Sequence, residues 1–222
     1  MSEKAQAVLF DMDGVLVNSE PVILAAAIAG LAERGVQAKP EDFMPFIGAG
    51  EDRFIGGVAE KYGLTYRKEM KERVYQIYQE IAPEKLRIYE GAVELLIRLK
   101  QNGIHCVLAS SADRIKIQTN LKVAQIKEDL FSIIVSGEDV NQKKPAPDIY
   151  LKAAQKINIP PADCVVVEDA LNGIKAAKAA GMKCIAVATS FDRRTLQKEK
   201  PDFICNQITE VGEIIESLNN GR

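Results

Sequence analysis

The sequence has little of what several kinds of site require. Its 222 residues include a single histidine and four cysteines, Cys106, Cys164, Cys184 and Cys205, and no two cysteines form a C-x-x-C pair. Three of the four lie inside apolar, strand-like runs, so we interpret them as small buried side chains with free thiols. This pattern disfavours both a zinc site and a disulfide framework.

Long apolar runs and a large excess of one charge are also missing. The longest apolar run, Val22 to Ala32, is shorter than the roughly 20 residues that a membrane-spanning helix needs. The formal net charge is −2, which predicts no electrostatic attraction to nucleic acid or to an anionic membrane. No signal peptide begins at Met1, so a cytoplasmic protein is the expectation. The oligomeric state is left open, with a monomer or a weak homo-oligomer expected.

The sequence instead alternates short apolar runs with helical stretches, without repeats. Helical stretches end at glycines such as Gly103 and Gly181, which favour the left-handed conformation past a helix end. This order predicts an α/β fold, a Rossmann-like doubly wound parallel sheet. Its strands, apolar throughout because both faces are buried, are predicted at Ala7–Phe10, His105–Ala109, Ser132–Val135, Cys164–Val167 and Cys184–Val187.

One segment breaks this alternation. Residues 18–88 contain no convincing strand and predict helices over Pro21–Arg34, Asp52–Tyr62 and Arg67–Ile81. We interpret residues 18–88 as a helical cap domain inserted between the first and second strands. The α/β catalytic core would then consist of residues 1–17 and 89–222.

Polar residues follow the apolar runs at the carboxyl ends of the predicted strands, where open parallel sheets bind ligands. They are Asp11-Met12-Asp13-Gly14, Ser110-Ser111, Lys143-Lys144-Pro145 and Glu168-Asp169. If the first and fourth strands are neighbours, four carboxylates gather at one edge, where they must take up protons or bind a cation. Because the available ligands are all oxygens, the pattern favours Mg²⁺, held by Asp11, Asp13, Glu168 and Asp169.

A phosphate group would account for the remaining polar residues. Lys144 offers a point charge, Ser110 offers a hydroxyl and a backbone N–H, and Gly14 lets the backbone approach a ligand closely. The Asp11 carboxylate can attack phosphorus, and Asp13 can protonate the leaving oxygen and then activate water. Each motif alone is typical of a turn, a helix cap or a solvated loop, whereas their ordered combination indicates a site.

These motifs resemble the haloacid dehalogenase superfamily. Phe10 to Val15 is similar to the first motif, Leu108 to Ser110 to the second, Lys144 to Asp148 to the third, and Val167 to Ala170 to the fourth. The helical insertion resembles the cap of the subgroup that contains β-phosphoglucomutase and sugar-phosphate phosphatases. The resemblance covers nearly the whole chain.

The resemblance implies a role for each residue. Asp11 would be the nucleophile, and Asp13 would be the general acid and base, with its backbone carbonyl on Mg²⁺. Ser110 and Lys144 would hold the transferring phosphate. Asp169 would bind the metal directly and Glu168 through water, although the spacing itself does not rank the two. Further substrate contacts are assigned to Gly14, Ser111, Arg53 and Lys71.

Two departures from the mutase pattern favour a phosphatase acting on a small phosphorylated metabolite, such as a sugar phosphate. Mutases carry a histidine on the first cap helix, where this chain has Val22-Ile23-Leu24. They also carry a cap arginine for a second phosphate, where this chain places Glu51 and Asp52 before Arg53. A hexose-phosphate mutase is the first alternative. The second is a non-catalytic phospho-acceptor signalling module, which fits poorly because such modules are shorter and lack a cap.

Overall fold

The computed structural model describes residues 4–47 and 50–221. Six residues lie outside the described ranges, namely Met1 to Glu3, Gly48, Ala49 and Arg222. They belong to the predicted domains, and the expectation of no signal peptide at Met1 also concerns residues outside the described ranges. Eight strands are described, namely β1 (Ala7–Phe10), β2 (Val17–Asn18), β3 (Arg87–Ile88), β4 (His105–Ala109), β5 (Ile133–Val135), β6 (Cys164–Glu168), β7 (Lys183–Val187) and β8 (Phe203–Cys205). The helices described are α1 (Glu20–Ala32), α2 (Pro40–Phe43), α3 (Glu51–Lys61), α4 (Lys68–Lys85), α5 (Ala92–Gln101), α6 (Arg114–Val123), α7 (Asp148–Lys156), α8 (Leu171–Ala179), α9 (Arg193–Gln197) and α10 (Val211–Asn219).

Six strands form one parallel sheet in the order β5-β4-β1-β6-β7-β8. The chain first adds strands on one side of β1 and then returns to add strands on the other side, which is the doubly wound arrangement that the sequence predicts. In the register of the sheet, Phe10 pairs with both Leu108 and Val167. Strands β1 and β6 are therefore neighbours, which is the condition on which the predicted carboxylate cluster depended.

The sheet is buried on both faces, and successive side chains along a strand alternate between the two faces. In β1, Val8 and Phe10 belong to one apolar cluster, whereas Ala7 and Leu9 belong to the other. Helices α5 and α10 cover the first face, and α7 and α8 cover the second. This sandwich fixes the strand ends, so the loops that follow β1, β4 and β6 start from rigid positions.

The segment predicted as a cap contains helices α1 to α4, but its ends differ from the prediction. Val17–Asn18 and Arg87–Ile88, where no strand was predicted, form a two-stranded antiparallel ribbon in which Val17 pairs with Ile88 and Asn18 with Arg87. Two residues are too few to show a strand periodicity, which explains why the ribbon was not predicted. Strand β8 was missed for a similar reason, since it has only three residues.

The helix predictions are correct in type and shifted at their ends. Helix α1 begins one residue earlier than predicted and ends two residues earlier, and α4 continues to Lys85, past Pro83. The predicted Asp52–Tyr62 helix is α3, displaced by one residue. No helix within the described residues has the length and apolar character needed to cross a membrane.

Candidate active site

Asp11 lies directly after the central strand β1, and its backbone is fixed by the sheet. Its N–H donates to the carbonyl of Val167 in β6, with the nitrogen 3.0 Å from the oxygen. The residue is only 8% exposed. Burial raises the pKa of Asp11 to about 7; the charge of Lys144 opposes this rise, and the charges of Glu168 and Asp13 add to it. This rise remains although the Lys144 cation lies beside the carboxylate, and a further cation would favour the ionised form.

Three carboxylates meet at this point. Oxygens of Asp11, Glu168 and Asp169 all lie within 4.8 Å of one another, and all three residues are buried. Burial also raises the pKa of Asp169, with the negative charges of Glu168 and Asp11 adding to the effect. Three buried carboxylates that are balanced by one lysine have the composition of a site for a divalent cation with oxygen ligands.

That lysine is Lys144, which bridges two of the carboxylates. Its Nζ lies 2.6 Å from Oδ1 of Asp11 and 2.6 Å from Oε1 of Glu168. Burial lowers the pKa of Lys144, but the negative charges of Asp11 and Glu168 outweigh this effect and raise it overall. Lys144 is therefore a permanent positive charge beside the Asp11 carboxylate.

Glu168 has both of its oxygens occupied by protein donors. Oε1 accepts from Lys144 and from the hydroxyl of Tyr150 at 2.8 Å, and Oε2 accepts from the backbone N–H groups of Asp169 and Ala170 at 3.0 Å each. A carboxylate has about four acceptor sites, so few are left for a metal ion.

The Asp169 carboxylate occupies space that is free because Gly14 has no side chain. Gly14 has a φ of +78°, and a Cβ at this position would lie 1.8 Å from Oδ2 of Asp169. The same oxygen accepts a hydrogen bond from the hydroxyl of Ser190. Gly14 thus lines the cavity, and its lack of a side chain leaves room for the Asp169 carboxylate.

Asp13 is held by three donors, namely Ser19, which precedes α1, and Lys116 and Asn120 of α6. Its Oδ1 accepts from the hydroxyl of Ser19 and from Nδ2 of Asn120, the latter at 3.3 Å. Its Oδ2 accepts from Nζ of Lys116 at 2.9 Å. The Asp13 side chain is not part of the three-carboxylate cluster.

The serines after β4 line the same cavity. Ser110 is 1% exposed, but its backbone N–H donates to the carbonyl of Val135, so the predicted free N–H is not available. Its hydroxyl accepts from the N–H of Ala112 at 3.2 Å, which leaves the O–H proton free to donate. Among the described residues, no partner is found for the buried hydroxyl of Ser111.

Arg53 and Lys71 are the two predicted substrate contacts that do not line the cavity. Arg53 is exposed and lies 3.9 Å from Glu60 and over the ring of Phe46. Lys71 is buried between Asp52, at 2.9 Å, and Asp113, at 2.7 Å. Both substrate assignments rest on an approximate alignment with the cap of the family. Such an alignment does not fix the direction in which a side chain points from its helix.

Sequence reasoning missed several residues of the site. The cavity, of about 110 Å³, is lined at its polar end by the predicted residues and elsewhere by cap side chains including Ile23, Phe46 and Phe54. Lys116, only 4% exposed, also lines it and was not predicted. Apolar and polar residues are mixed along α6, so the sequence does not distinguish Lys116 from a solvent-exposed lysine. Ser19, Asn120, Tyr150 and Ser190 were missed for the same reason, because each is a common residue outside any motif.

The fold and the site together define a class of protein, an α/β enzyme with its candidate active site at the carboxyl ends of the central strands of a parallel sheet. The family model described as haloacid dehalogenase-like hydrolase matches residues 8–187. The chain belongs to that family, as the resemblance of its motifs predicted.

The chain is also similar in sequence to individual named proteins. It is 32% identical over 224 residues to the phosphorylated carbohydrates phosphatase of Thermotoga maritima, covering 93% of this chain and 99% of that protein. It is 44% identical over 213 residues to the chloroplastic protein SUPPRESSOR OF QUENCHING 1 of Arabidopsis thaliana. That match covers 94% of this chain but only 20% of the relative's length.

The fold also has close counterparts among solved structures. CbbY of Rhodobacter sphaeroides, crystallised with phosphate, superposes with a TM-score of 0.82 over 94% of this chain and 96% of that one. The two sequences are 24% identical, so this likeness establishes the shared fold.

Proposed function

We propose that this protein is a magnesium-dependent phosphatase that hydrolyses a small phosphorylated metabolite through an aspartyl-phosphate on Asp11. One observation carries the proposal: Lys144 lies 2.6 Å from the Asp11 carboxylate, which also shares a buried cluster with Glu168 and Asp169. Phosphoryl transfer from an ester uses a nucleophile and positive charge near the phosphoryl oxygens. Here the nucleophile would be a carboxylate, and the positive charge would come from a lysine and a divalent metal ion.

The residues of the chain divide the reaction into two steps. In the first, an Asp11 oxygen attacks phosphorus, the ester P–O bond breaks, and Asp13 gives its proton to the leaving oxygen. In the second, Asp13 takes a proton from water, the water oxygen attacks phosphorus, and the bond to Asp11 breaks. Inorganic phosphate leaves, and both carboxyl groups return to their starting states.

The donor set suits a magnesium ion. Asp11 and Asp169 would bind it directly, with the backbone carbonyl of Asp13 as a further ligand and Glu168 reached through water. The saturation of Glu168 by four protein donors supports this ranking. When bound, the ion supplies positive charge to the phosphoryl oxygens and shields the attacking carboxylate from them.

The phosphoryl group would be held by side chains at the ends of two strands. Lys144 offers its charge, and Ser110 offers its hydroxyl proton, since its backbone N–H is used within the sheet. Ser111 and Gly14 line the same end of the cavity and would contact the substrate there. Arg53 and Lys71 are not part of this proposal, because neither lines the cavity.

The charges around the cavity favour hydrolysis over a mutase reaction. Among the described residues that line it, the cations are Lys116 and Lys144, and each is already paired with two carboxylates. Glu51 and Glu20 add negative charge, and Ile23 and Phe54 are apolar. Among these described lining residues no cation is left free for a second phosphate, so a bisphosphate intermediate would be held poorly and water would be the acceptor.

The cap is proposed to be a lid over this cavity. Residues 18–88 contribute Phe46, Glu51 and Phe54 to its wall, while the reacting groups come from the core. Exchange of the leaving alcohol for water requires the lid to open between the two steps. The boundaries 1–17, 18–88 and 89–222 are part of this proposal, and the cytoplasmic location and the monomeric or weakly associated state stay predictions of the sequence.

A substrate screen tests the proposal. Phosphate release from a panel of phosphorylated metabolites, including sugar phosphates of the kind named for the Thermotoga relative, should require Mg²⁺ and stop with EDTA. Incubation with β-glucose 1-phosphate and a trace of the 1,6-bisphosphate separates the alternatives. Formation of glucose 6-phosphate faster than phosphate release would establish the mutase, and the absence of turnover with every ester would favour the signalling module.

A further inference from the structure

Two side chains on one face of helix α6 hold the carboxylate of Asp13. Lys116 and Asn120 are four residues apart, so they lie on the same side of the helix. Lys116 donates to Oδ2 of Asp13 and Asn120 donates to Oδ1. Both residues are almost fully buried, at 4% and 0% exposed. Neither belongs to a motif of the family or to the set of residues proposed to bind phosphate or metal.

Each of the two is also tied to the cap. The Nζ of Lys116 lies 3.1 Å from Oε1 of Glu51, the first residue of α3, and Glu51 is 6% exposed. Asn120 accepts through Oδ1 from the hydroxyl of Tyr78, a fully buried residue of α4. Two separate chains of contacts therefore run from the cap to Asp13, namely Glu51–Lys116–Asp13 and Tyr78–Asn120–Asp13.

Burying the Lys116 and Glu51 charges costs free energy. Lys116 and Glu51 are buried charges beside the half-buried Asp13, and buried charged groups often add less stability than apolar residues of the same size. Oε2 of Glu51 is enclosed and, within residues 4–47 and 50–221, has no hydrogen-bond partner. An arrangement that leaves a carboxylate oxygen unsatisfied is better explained by orientation of Asp13 than by stability alone.

We infer that Lys116 and Asn120 are positioning residues that align Asp13 for proton transfer, and that they do so fully only when Glu51 and Tyr78 of the cap are docked on them. This inference rests on the proposed role of Asp13 as general acid. When the cap leaves, Lys116 loses one of its two carboxylates and Asn120 loses the donor that orients its amide. The Asp13 side chain then has partners that are free to rearrange, so proton transfer is coupled to closure.

The dependence of turnover on the leaving group distinguishes this role from a structural one. Phenyl phosphate and p-nitrophenyl phosphate are similar in size, but phenolate is the poorer leaving group and needs the proton from Asp13 more. Lys116→Met should lower kcat/KM for phenyl phosphate at least about tenfold more than for p-nitrophenyl phosphate, because general acid catalysis contributes roughly 10² to 10⁴-fold. A loss of packing alone would lower both values by the same factor.

Smaller changes test the cap side of each contact. Tyr78→Phe removes one hydroxyl and Glu51→Gln removes one charge, and each should show the same selective loss for phenyl phosphate, though a smaller one. The double variant with Lys116→Met and Glu51→Gln should be less impaired than the product of the two single losses, since both act through one contact.

Lys71→Met is the matched control. Lys71 is also a buried lysine paired with two carboxylates, at 7% exposed, but it contacts neither Asp13 nor the cavity. Its replacement should change the two esters by equal factors. Near-ultraviolet circular dichroism checks each fold, and if Lys116→Met does not fold, the Tyr78→Phe variant decides the question.

The outcomes separate the inference from the function on which it rests. Equal losses for the two esters in Lys116→Met and in Tyr78→Phe, with wild-type turnover intact, would overturn the positioning role and leave the phosphatase in place. If the wild type hydrolyses neither ester nor any metabolite in the screen, the proposed function fails and the inference fails with it.

Discussion

The hydroxyl group of Tyr150 donates a hydrogen bond to Oε1 of Glu168, with the two oxygens 2.8 Å apart. Tyr150 belongs to α7, and Glu168 ends strand β6, so the bond links a helix to the edge of the sheet at the active site. Together with Lys144 and two backbone N–H groups, it leaves Glu168 with little capacity to bind a metal ion directly. The two neighbouring acidic residues therefore have different expected roles.

A magnesium titration of activity should rank those roles. Asp169→Asn should raise the half-saturating Mg²⁺ concentration on the order of a hundredfold, because it removes a direct ligand charge. Glu168→Gln should raise it about tenfold, and Tyr150→Phe less, since both act through groups around the metal. A larger effect for Glu168→Gln than for Asp169→Asn would reverse our ligand assignment.

Removal of the nucleophile should stop turnover without unfolding the protein. Asp11→Asn keeps the size of the side chain and removes its attacking charge, so kcat should fall by at least about a thousandfold. The far-ultraviolet circular dichroism spectrum should match that of the wild type. Activity close to the wild-type value in this variant would contradict the aspartyl-phosphate mechanism.

Gly14 provides a test of the space around Asp169. In Gly14→Ala, the added Cβ would lie 1.8 Å from an Asp169 oxygen, so the metal site should be distorted and activity lost. Gly35→Ala is the matched control, because its φ of +80° resembles the +78° of Gly14, but among the described residues no atom other than its own and those of its chain neighbours lies within 4 Å of an added Cβ. Both variants should lose about 1–2 kcal/mol of folding free energy from backbone strain, whereas only Gly14→Ala should lose activity.

The stability of the protein should depend on pH through Asp42 in the cap. Hydrogen bonds from Lys61, from the backbone N–H of Lys39 and from Tyr62 hold the pKa of Asp42 well below its usual value. Because the folded pKa is the lower one, the stabilisation is complete above the unfolded pKa of about 4 and is lost as the pH falls below it. In urea unfolding, the wild type should therefore have a higher free energy of unfolding than Asp42→Asn at pH 7. This difference in free energy should become smaller towards pH 3. A difference that stays constant over this range would show that the ionised carboxylate is not the source.

Residues that follow buried strands could be placed from the sequence. Asp11 and Glu168 each follow an apolar run, and in a parallel sheet that alone brings them to one edge. The order of the strands makes them neighbours, and the structure has β1 beside β6. Lys144 lies in a loop, yet its motif also followed an apolar run and could be assigned to the same edge.

Residues whose roles depend on helix faces could not be placed in this way. Lys116 and Asn120 lie within α6, where the sequence shows neither which side faces Asp13 nor what the cap brings to the other side. The same uncertainty led to Arg53 being expected in the cavity, whereas its side chain is exposed and Glu51, on the same helix, lines the cavity. Contacts between distant parts of the chain depend on tertiary packing, which a single sequence does not display.

The pairing of β2 with β3 has a mechanical consequence for the cap. The chain passes between core and cap twice, at Val17–Asn18 and at Arg87–Ile88, and these two crossings are hydrogen-bonded to each other. We therefore expect them to bend together, as one strap with a single axis, and not as two independent tethers. We expect the cap to rotate about this strap while keeping its direction of approach, so that Glu51 and Tyr78 return to the same partners on α6 in each catalytic cycle.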